Sequence, residues 1–196
     1  MERAKPATWK DYFERTKGRP PRKLLVTALG FLKNRGQALD LGSGALNDSA
    51  YLVTEGFKHV TAVDKIPVAK EIAEMLPKDV FNYVISSFEN FNFTKDTYDL
   101  INAQYALPFI SPKRFSEVFA AIIDSLKTDG IFTGQFFGDR DEWKNDTAMT
   151  FVTRALAEEY IKGLTVLSFT EEERDKETAL GEMKHWHVFH FIVCKK

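Results

Sequence analysis

One stretch, residues 36–64, constrains the fold more than any other part of the chain: GQALDLGSGALNDSAYLVTEGFKHVTAVD. A short apolar strand leads into the glycine turn 42–44, where the backbone can approach a ligand because no Cβ stands in the way. A helix is predicted over 48–55, and a second apolar strand ends on Asp64. A strand, a glycine turn at a helix start and an acid about 20 residues further on are typical of a nucleoside-binding βαβ unit.

The spacing of the glycines indicates which nucleoside is bound. Asp64 is placed to accept hydrogen bonds from ribose hydroxyls. The dinucleotide fingerprint G-x-G-x-x-G needs a third glycine at position 47, which is Asn47, and this argues against NAD or FAD. The stretch fits a different pattern, D-x-G-x-G, in which Asp40 precedes Gly42 and Gly44.

This D-x-G-x-G stretch resembles the first motif of the class I S-adenosylmethionine-dependent methyltransferases. In that family a third glycine usually falls where this chain has Leu46, so we expect a less open loop after the turn. The resemblance implies S-adenosylmethionine as the cofactor. It implies that the following residues of this stretch bind the cofactor: Asp40, Gly42, Ser43, Gly44, Asp64 and Lys65.

The ends of the third and fourth predicted strands supply further candidates. In the family, the junction after the third strand holds a polar group near the adenine amino group and an aromatic ring against adenine; Ser87 and Phe88 occupy it here. The alternative is that Phe88 only anchors the loop. The fourth strand ends at Asn102, facing the expected position of the methyl group, so Asn102 is a cofactor candidate. Gln104 and Tyr105, which follow it, are substrate candidates.

Two segments outside the βαβ frame offer the remaining substrate candidates. Residues 1–33 predict two amphipathic helices, which we expect to form a lid over the carboxyl end of the first strand, where ligands bind in open α/β sheets. Tyr12 and Arg19 are the candidates there; alternatively, they are a core tyrosine and a surface cation. In the polar loop 138–147 the candidate is Trp143, and the alternative is a solvated loop with one packed tryptophan.

The order of elements predicts the fold. Five alternating strands and helices are followed by two strands, at 164–169 and 185–194, with the charge-dense stretch 170–179 between them predicted to be solvated. We predict an α/β fold with a Rossmann-like, doubly wound, mostly parallel seven-stranded sheet, with the last strand antiparallel. The order of elements also resembles that of the class I methyltransferases, and this resemblance implies the strand order 3-2-1-4-5-7-6. One domain is expected over 1–196, with the core beginning at residue 36. The final strands resemble those of small bacterial methyltransferases of the tellurite-resistance type.

The last predicted strand carries three histidines. Strand alternation places His185 and His187 on one face and His190 on the other. Two ligands do not make a metal site, and no cluster of further ligands stands nearby in the sequence, so no metal is predicted. A role of His185 or His187 as a general base at the sheet edge stays open, and no catalytic residue is assigned.

Composition excludes several classes of protein. The chain has 196 residues, 44% hydrophobic and 28% charged, with a net charge of −1, which is a globular profile. The balanced charge argues against a nucleic-acid partner, and no apolar run approaches the ~18 residues that a membrane span needs. With a single cysteine and no apolar signal segment, we expect a cytoplasmic protein, acting as a monomer or a homodimer.

The leading hypothesis is methyl transfer from S-adenosylmethionine to a small-molecule acceptor. Because that cofactor carries its own leaving group, the protein mainly has to hold nucleophile, methyl and sulfur in line. Two alternatives stay open: a non-catalytic nucleoside-binding relative with a regulatory or binding role, which Leu46 favours, and a nicotinamide oxidoreductase, which Asn47 opposes. The chain has N-A-Q-Y at 102–105 rather than the N-P-P-Y of amino methyltransferases that act on nucleic acid or protein glutamine, so that activity is not inferred.

Overall fold

The computed structural model describes residues 8–196, and residues 1–7 of the predicted lid lie outside it. The described part contains one sheet, whose strands are β1 Gln37–Leu41, β2 His59–Asp64, β3 Phe81–Ile85, β4 Tyr98–Ala103, β5 Leu126–Gly138, β6 Phe151–Val152, β7 Thr165–Glu177 and β8 Met183–Cys194. The strand order is β3-β2-β1-β4-β5-β8-β7, and the two-residue β6 pairs with β5 outside this path. The strands are parallel except β8, which is antiparallel to both of its neighbours. Without β6 this is the predicted order.

Helices cover both faces of the sheet. They are α1 Trp9–Thr16, α2 Lys23–Leu29, α3 Asn47–Thr54, α4 Lys70–Met75, α5 Phe115–Ser125 and α6 Arg154–Ile161. One core cluster joins α5 and α6 to the sheet, and a second joins α2, α3 and α4 to its other face. Because β4 is covered on both sides, all six of its residues are buried, which is why its sequence reads as a run without alternation.

The N-terminal segment divides between the lid and the core. α1 lies at the carboxyl edge of the sheet, whereas α2 packs on the sheet through Leu25 and Ala28, both fully buried. Asn47, the first residue of α3, holds the end of α1 and the turn after it: its Oδ1 accepts from the Gly18 amide at 2.9 Å, and its Nδ2 donates to the Thr16 carbonyl at 2.8 Å. The residue that breaks the dinucleotide fingerprint therefore anchors the segment that was predicted to be a lid.

The stretch 170–179 is largely exposed, as predicted, but up to Glu177 it is part of a strand, which the sequence did not predict. β7 continues to Glu177 and pairs with β8 up to Met183, whereas β5 stops pairing with β8 at Val188. Residues 171–187, called the projecting hairpin below, therefore extend beyond the carboxyl edge of the sheet. Sequence periodicity missed this strand because both of its faces carry charged residues, so no alternation of apolar and polar positions marks it.

None of the helices in the described part of the chain combines the length and hydrophobicity that crossing a membrane requires.

Candidate functional site

A cavity of about 1050 Å³ opens at the carboxyl ends of the parallel strands, where open α/β sheets bind ligands. The N-terminal segment, the glycine turn, the ends of β2 to β5 and the projecting hairpin form its walls. Eleven of the fourteen predicted site residues line it: Tyr12, Arg19, Gly42, Gly44, Asp64, Lys65, Ser87, Phe88, Gln104, Tyr105 and Trp143. The other three, Asp40, Ser43 and Asn102, are buried and do not.

The two glycines of the turn serve different purposes. Gly42 has φ +70°, and a Cβ there would stand 2.5 Å from the Ala106 Cβ, so the turn packs tightly against the chain after β4. Gly44 has φ +50°, and a Cβ there would meet only the Gly42 carbonyl oxygen, at 3.9 Å. The space beside Gly44 is therefore open to the cavity, and a ligand can contact the backbone there.

Asp64 closes the same end of the cavity. Its Oδ2 accepts from the Gly44 amide and its Oδ1 accepts from the Ile66 amide, both at 2.9 Å. These two bonds fix the carboxylate against the glycine turn. Since an ionised carboxylate has about four acceptor positions, lone pairs remain for the hydroxyls of a ligand.

Asp40 lies behind the turn rather than in the cavity. Its Oδ1 accepts from Asn102 Nδ2 at 2.8 Å and its Oδ2 accepts from Ser49 Oγ at 2.5 Å, which joins β1, β4 and α3. Burial, together with the neighbouring Asp48 carboxylate, raises the pKa of Asp40 to about 7. Burial also raises the pKa of Asp48. The side chains of Asp40 and Asn102, both predicted to bind the cofactor, therefore do not line the cavity and support the turn from below.

Leu46 does not narrow the loop, contrary to expectation. It has φ +59° and is fully buried in the core cluster of α2, α3 and α4, away from the cavity. The left-handed conformation explains why glycine suits this position, since this backbone conformation destabilises other residues by about 1–2 kcal/mol. Burying a leucine side chain contributes about 1.5–3 kcal/mol and offsets this strain.

A chain of side-chain amides leads from Asn102 across the sheet. Gln104 Nε2 donates to Asn102 Oδ1, and Gln135 Nε2 donates to Gln104 Oε1, both at 2.8 Å. Gln135 Oε1 accepts from the Tyr105 amide at 2.7 Å. Tyr105 has φ +56° and lines the cavity, so the chain ends by holding a residue in a strained backbone conformation.

The far end of the cavity is aromatic. The Tyr105 ring lies 6.2 Å from that of Phe137 and 6.0 Å from that of Trp186, measured between centroids, and Trp143 lies 5.8 Å from Trp186. Lys184 stands behind these rings, with its Nζ 3.8 Å from the Trp186 centroid and 4.4 Å from that of Trp143. Burial lowers the pKa of Lys184.

The buried Lys184 ammonium pairs with Asp141, at 2.5 and 2.6 Å from its two carboxylate oxygens. Both side chains are essentially inaccessible to solvent. This pair joins the loop after β5 to the projecting hairpin and so fixes one wall of the cavity. Sequence reasoning missed it, because the two residues lie 43 positions apart and each stands in a polar segment.

Comparisons with known proteins agree with this architecture. Residues 38–130 match the family described as methyltransferase domain. Residues 38–130 therefore form a methyltransferase domain, within the fold of the class I S-adenosylmethionine-dependent methyltransferases. Its activity is therefore methyl transfer, with S-adenosylmethionine as the cofactor. No curated protein matches this methyltransferase in sequence.

Solved methyltransferase structures share the fold. TehB from Haemophilus influenzae superposes with a TM-score of 0.77 at 20% identity, covering 96% of this chain and 68% of TehB. The 1,6-didemethyltoxoflavin-N1-methyltransferase of Burkholderia thailandensis was solved with 1,6-didemethyltoxoflavin and S-adenosylhomocysteine bound. It superposes with a TM-score of 0.67 at 20% identity, covering 89% of this chain and 79% of that chain. An S-adenosylmethionine-dependent methyltransferase from Methanosarcina mazei superposes with a TM-score of 0.67 at 16% identity. The superposition covers 86% of this chain and 96% of that chain.

The residues of the methyltransferase fit an adenosyl cofactor. The open space at Gly44 and the free lone pairs of Asp64 lie together in the cavity. Phe88 packs beside the turn, its ring 3.4 Å from where a Gly42 Cβ would stand. The Ser43 hydroxyl is buried without a hydrogen-bond partner among residues 8–196. An open backbone, an acceptor carboxylate and a nearby aromatic ring are what a ribose and a purine require.

His185 and His187 of β8 belong to an ion-pair cluster outside the cavity, whereas His190 lies on the other face, with its ring 6.4 Å from that of Tyr105. Ligand atoms of Glu171, Glu173 and His187 lie within 4.8 Å of one another, a spacing that suits a metal. Arg140 fills the space between the carboxylates instead, at 2.7 Å from Glu171 and 2.8 Å from Glu173. Hydrogen bonds from His187 and Arg140 hold the pKa of Glu171 at about 2. His185 faces the same way, toward Glu173, as alternation predicted.

Proposed function

We propose that this methyltransferase acts on a small-molecule acceptor held inside the cavity. The observation that carries the proposal is the continuation of the cavity past the glycine turn to the aromatic wall, under α1 and beside the projecting hairpin. At about 1050 Å³ it lies at the upper end of the roughly 300–1000 Å³ typical of a single ligand site, which leaves room for an acceptor beside the cofactor.

The cofactor is assigned to the end formed by β1, β2 and β3. Asp64 would accept from the ribose hydroxyls and the backbone at Gly42 and Gly44 would contact the ligand. Ser87 and Phe88 would hold the adenine, the hydroxyl at its edge and the ring on its face. The proposed cofactor-binding residues also include Lys65 and Ser43. Asp40 and Asn102 would contribute by supporting the turn from behind.

The acceptor is assigned to the end formed by β4, β5 and the projecting hairpin. Its residues include five sequence candidates: Tyr12, Arg19, Gln104, Tyr105 and Trp143. When bound, S-adenosylmethionine would supply a methyl group on a sulfonium whose sulfur is the leaving group and keeps the bonding electrons. The side chains of the chain position the acceptor and exclude water, and no general base is assigned.

A small acceptor is favoured over nucleic acid by the concave cavity, which has α1 and the projecting hairpin among its walls, and by the net charge of −1. The proposal is supported by the Burkholderia enzyme, a similar fold that was solved with 1,6-didemethyltoxoflavin and S-adenosylhomocysteine bound. We propose that the protein acts as a monomer or a homodimer.

Calorimetric titration with S-adenosylhomocysteine, with NADH as a parallel control, tests the cofactor end. We expect Asp64→Ala to weaken S-adenosylhomocysteine binding by about 1–3 kcal/mol, because polar contacts to the ligand are lost. Asp79→Ala, which removes an exposed aspartate outside the cavity, is the matched control and should bind like the wild type. Equal affinity of a folded Asp64→Ala variant would remove Asp64 from the site.

The acceptor is tested with S-adenosylmethionine labelled in its methyl group. The enzyme is incubated with a cell extract separated by ultrafiltration into a small-molecule fraction and a macromolecular fraction. We expect label to be transferred to the small-molecule fraction. Transfer to RNA or protein alone would contradict the proposal.

A further inference from the structure

Tyr105 forms the centre of the acceptor end. Its ring contacts those of Phe137 and Trp186 edge to face, and Trp143 extends the same surface. These four aromatic side chains all line the cavity. A surface of this kind favours a flat, conjugated ligand, because stacked or edge-on rings gain about 0.5–1.5 kcal/mol beyond the burial of their area.

The amide chain keeps the Tyr105 backbone in one position. The Tyr105 N–H can only donate, so Gln135 must accept with Oε1 and donate with Nε2. The same argument fixes the orientation of Gln104 and then of Asn102, whose Nδ2 meets Asp40 Oδ1. Since no amide can flip without breaking two bonds, Tyr105 is set before a ligand arrives.

Positive charge exceeds negative charge beside Tyr105. The Arg22 guanidinium lies 5.1 Å from the centroid of the ring and is half-buried at the cavity wall. Across the cavity Arg174 pairs with Glu172 at 2.6 Å, and these two charges offset each other. Within residues 8–196, no carboxylate oxygen lies within 4.0 Å of the Arg22 guanidinium. The Arg22 charge does act on Asp48 behind the wall, where it favours the ionised carboxylate.

From these contacts we infer that the acceptor is a planar, conjugated organic anion, whose ring system lies against Tyr105 and whose acidic oxygen meets Arg22. The inference rests on the proposed function and specifies its acceptor. A guanidinium beside an aromatic face suits this ligand because it offers forked donors to an oxyanion and a flat surface to the ring. Arg22 is thereby a specificity-determining residue, and Gln104 and Gln135 are positioning residues.

The test uses three naphthalene-based probes of similar size, titrated by calorimetry into the enzyme saturated with S-adenosylhomocysteine. 2-Naphthoate is planar and anionic, 2-naphthamide is planar and neutral, and decahydro-2-naphthoate is anionic but saturated. We expect 2-naphthoate to bind at least about tenfold more tightly than either of the others, the ratio expected for one charge-assisted contact or one stacking contact. Equal binding of the three probes, or binding of none, would overturn the inference.

Two variants test separately the contact of the probe with Arg22 and its contact with Tyr105. Arg22→Met keeps the aliphatic stem and the backbone amide that bonds Asp48, and should reduce 2-naphthoate affinity to that of 2-naphthamide. Tyr105→Leu should weaken both planar probes about tenfold and leave the saturated anion unchanged. Arg114→Met, which removes an exposed arginine paired with Glu117 outside the cavity, is the control and should change nothing.

The titrations with S-adenosylhomocysteine and with the probes distinguish a failure of this inference from a failure of the proposed function. If S-adenosylhomocysteine itself does not bind, the proposed function fails. If it binds and the planar anion shows no preference, only the inference about the acceptor fails. An Arg22→Met variant that keeps the full preference for 2-naphthoate would likewise overturn the assignment of Arg22.

Discussion

Replacing Asp40 by asparagine should make the protein more stable at neutral pH. Asp40 is almost fully buried and receives two hydrogen bonds, from Asn102 and Ser49. Burial raises its pKa from 3.8 to about 7, because the low-dielectric interior disfavours the charged carboxylate and the nearby Asp48 adds repulsion. Asparagine reproduces the neutral acid: its oxygen can accept from Asn102, and its amide can donate to the Ser49 hydroxyl.

The magnitude follows from the shift in pKa. The folded state binds the Asp40 proton more tightly than the unfolded chain, so its contribution to stability is fully present below about pH 4 and is lost as the pH rises through 7. Each unit of pKa corresponds to about 1.4 kcal/mol, so a shift from 3.8 to about 7 amounts to roughly 4 kcal/mol. The stability of Asp40→Asn relative to the wild type should rise by about this amount between pH 4 and pH 7.5.

Urea denaturation at several pH values between 4 and 8 measures this difference. Asp99→Asn is the matched control, because Asp99 is also buried but pairs with Lys127 at 2.9 Å, and its loss should not stabilise the protein at pH 7.5. Binding of S-adenosylhomocysteine to Asp40→Asn should be close to that of the wild type, since Asp40 does not line the cavity. A stability difference that does not change with pH would refute the reasoning.

Three further changes test the packing around the site. Lys184→Met should destabilise the fold by about 3–5 kcal/mol in urea denaturation, since it leaves a buried carboxylate unpaired, and adding Asp141→Asn should restore much of the loss. An additive double variant would contradict this. Leu46→Gly should lower the free energy of unfolding by about 1–4 kcal/mol, cavity formation outweighing relief of strain, with S-adenosylhomocysteine affinity unchanged. Gly44→Val should abolish S-adenosylhomocysteine binding in calorimetry while circular dichroism stays the same; normal affinity would mean that the turn does not contact the ligand.

The sheet and the turn could be predicted from the sequence because their signals are local. The apolar strands on either side of the turn, its two glycines and the acid at the end of β2 stand within 29 consecutive residues, and the positive φ angles of Gly42 and Gly44 explain why glycine is needed there. The strand order followed from the resemblance of the later elements, in their order along the chain, to those of the class I methyltransferases. The acid Asp64 was correctly expected at the cavity because a strand end fixes its position.

Partners that lie far apart along the chain could not be predicted. Asp40 and Asn102 are 62 positions apart, and only the register of β1 beside β4 brings them together. The same holds for Lys184 and Asp141, which stand 43 positions apart. Leu46 shows a different limit: its side chain was expected to crowd the loop, but its backbone conformation turns it into the core. The sequence showed that Leu46 stands where the family has glycine, but it did not show which way the leucine side chain points.

The protonation of Asp40 is connected to the acceptor end through the amide chain, and the geometry determines where the proton lies. Asn102 Nδ2 can only donate, so the Asp40 Oδ1 that faces it must remain an acceptor. A proton on Asp40 therefore occupies Oδ2, and the Ser49 hydroxyl then turns from donor to acceptor. Every bond from Asn102 to the Tyr105 amide keeps its direction in both states. The carboxyl can therefore titrate near neutral pH, changing the stability of the fold, while the aromatic surface that we assign to the acceptor keeps its geometry.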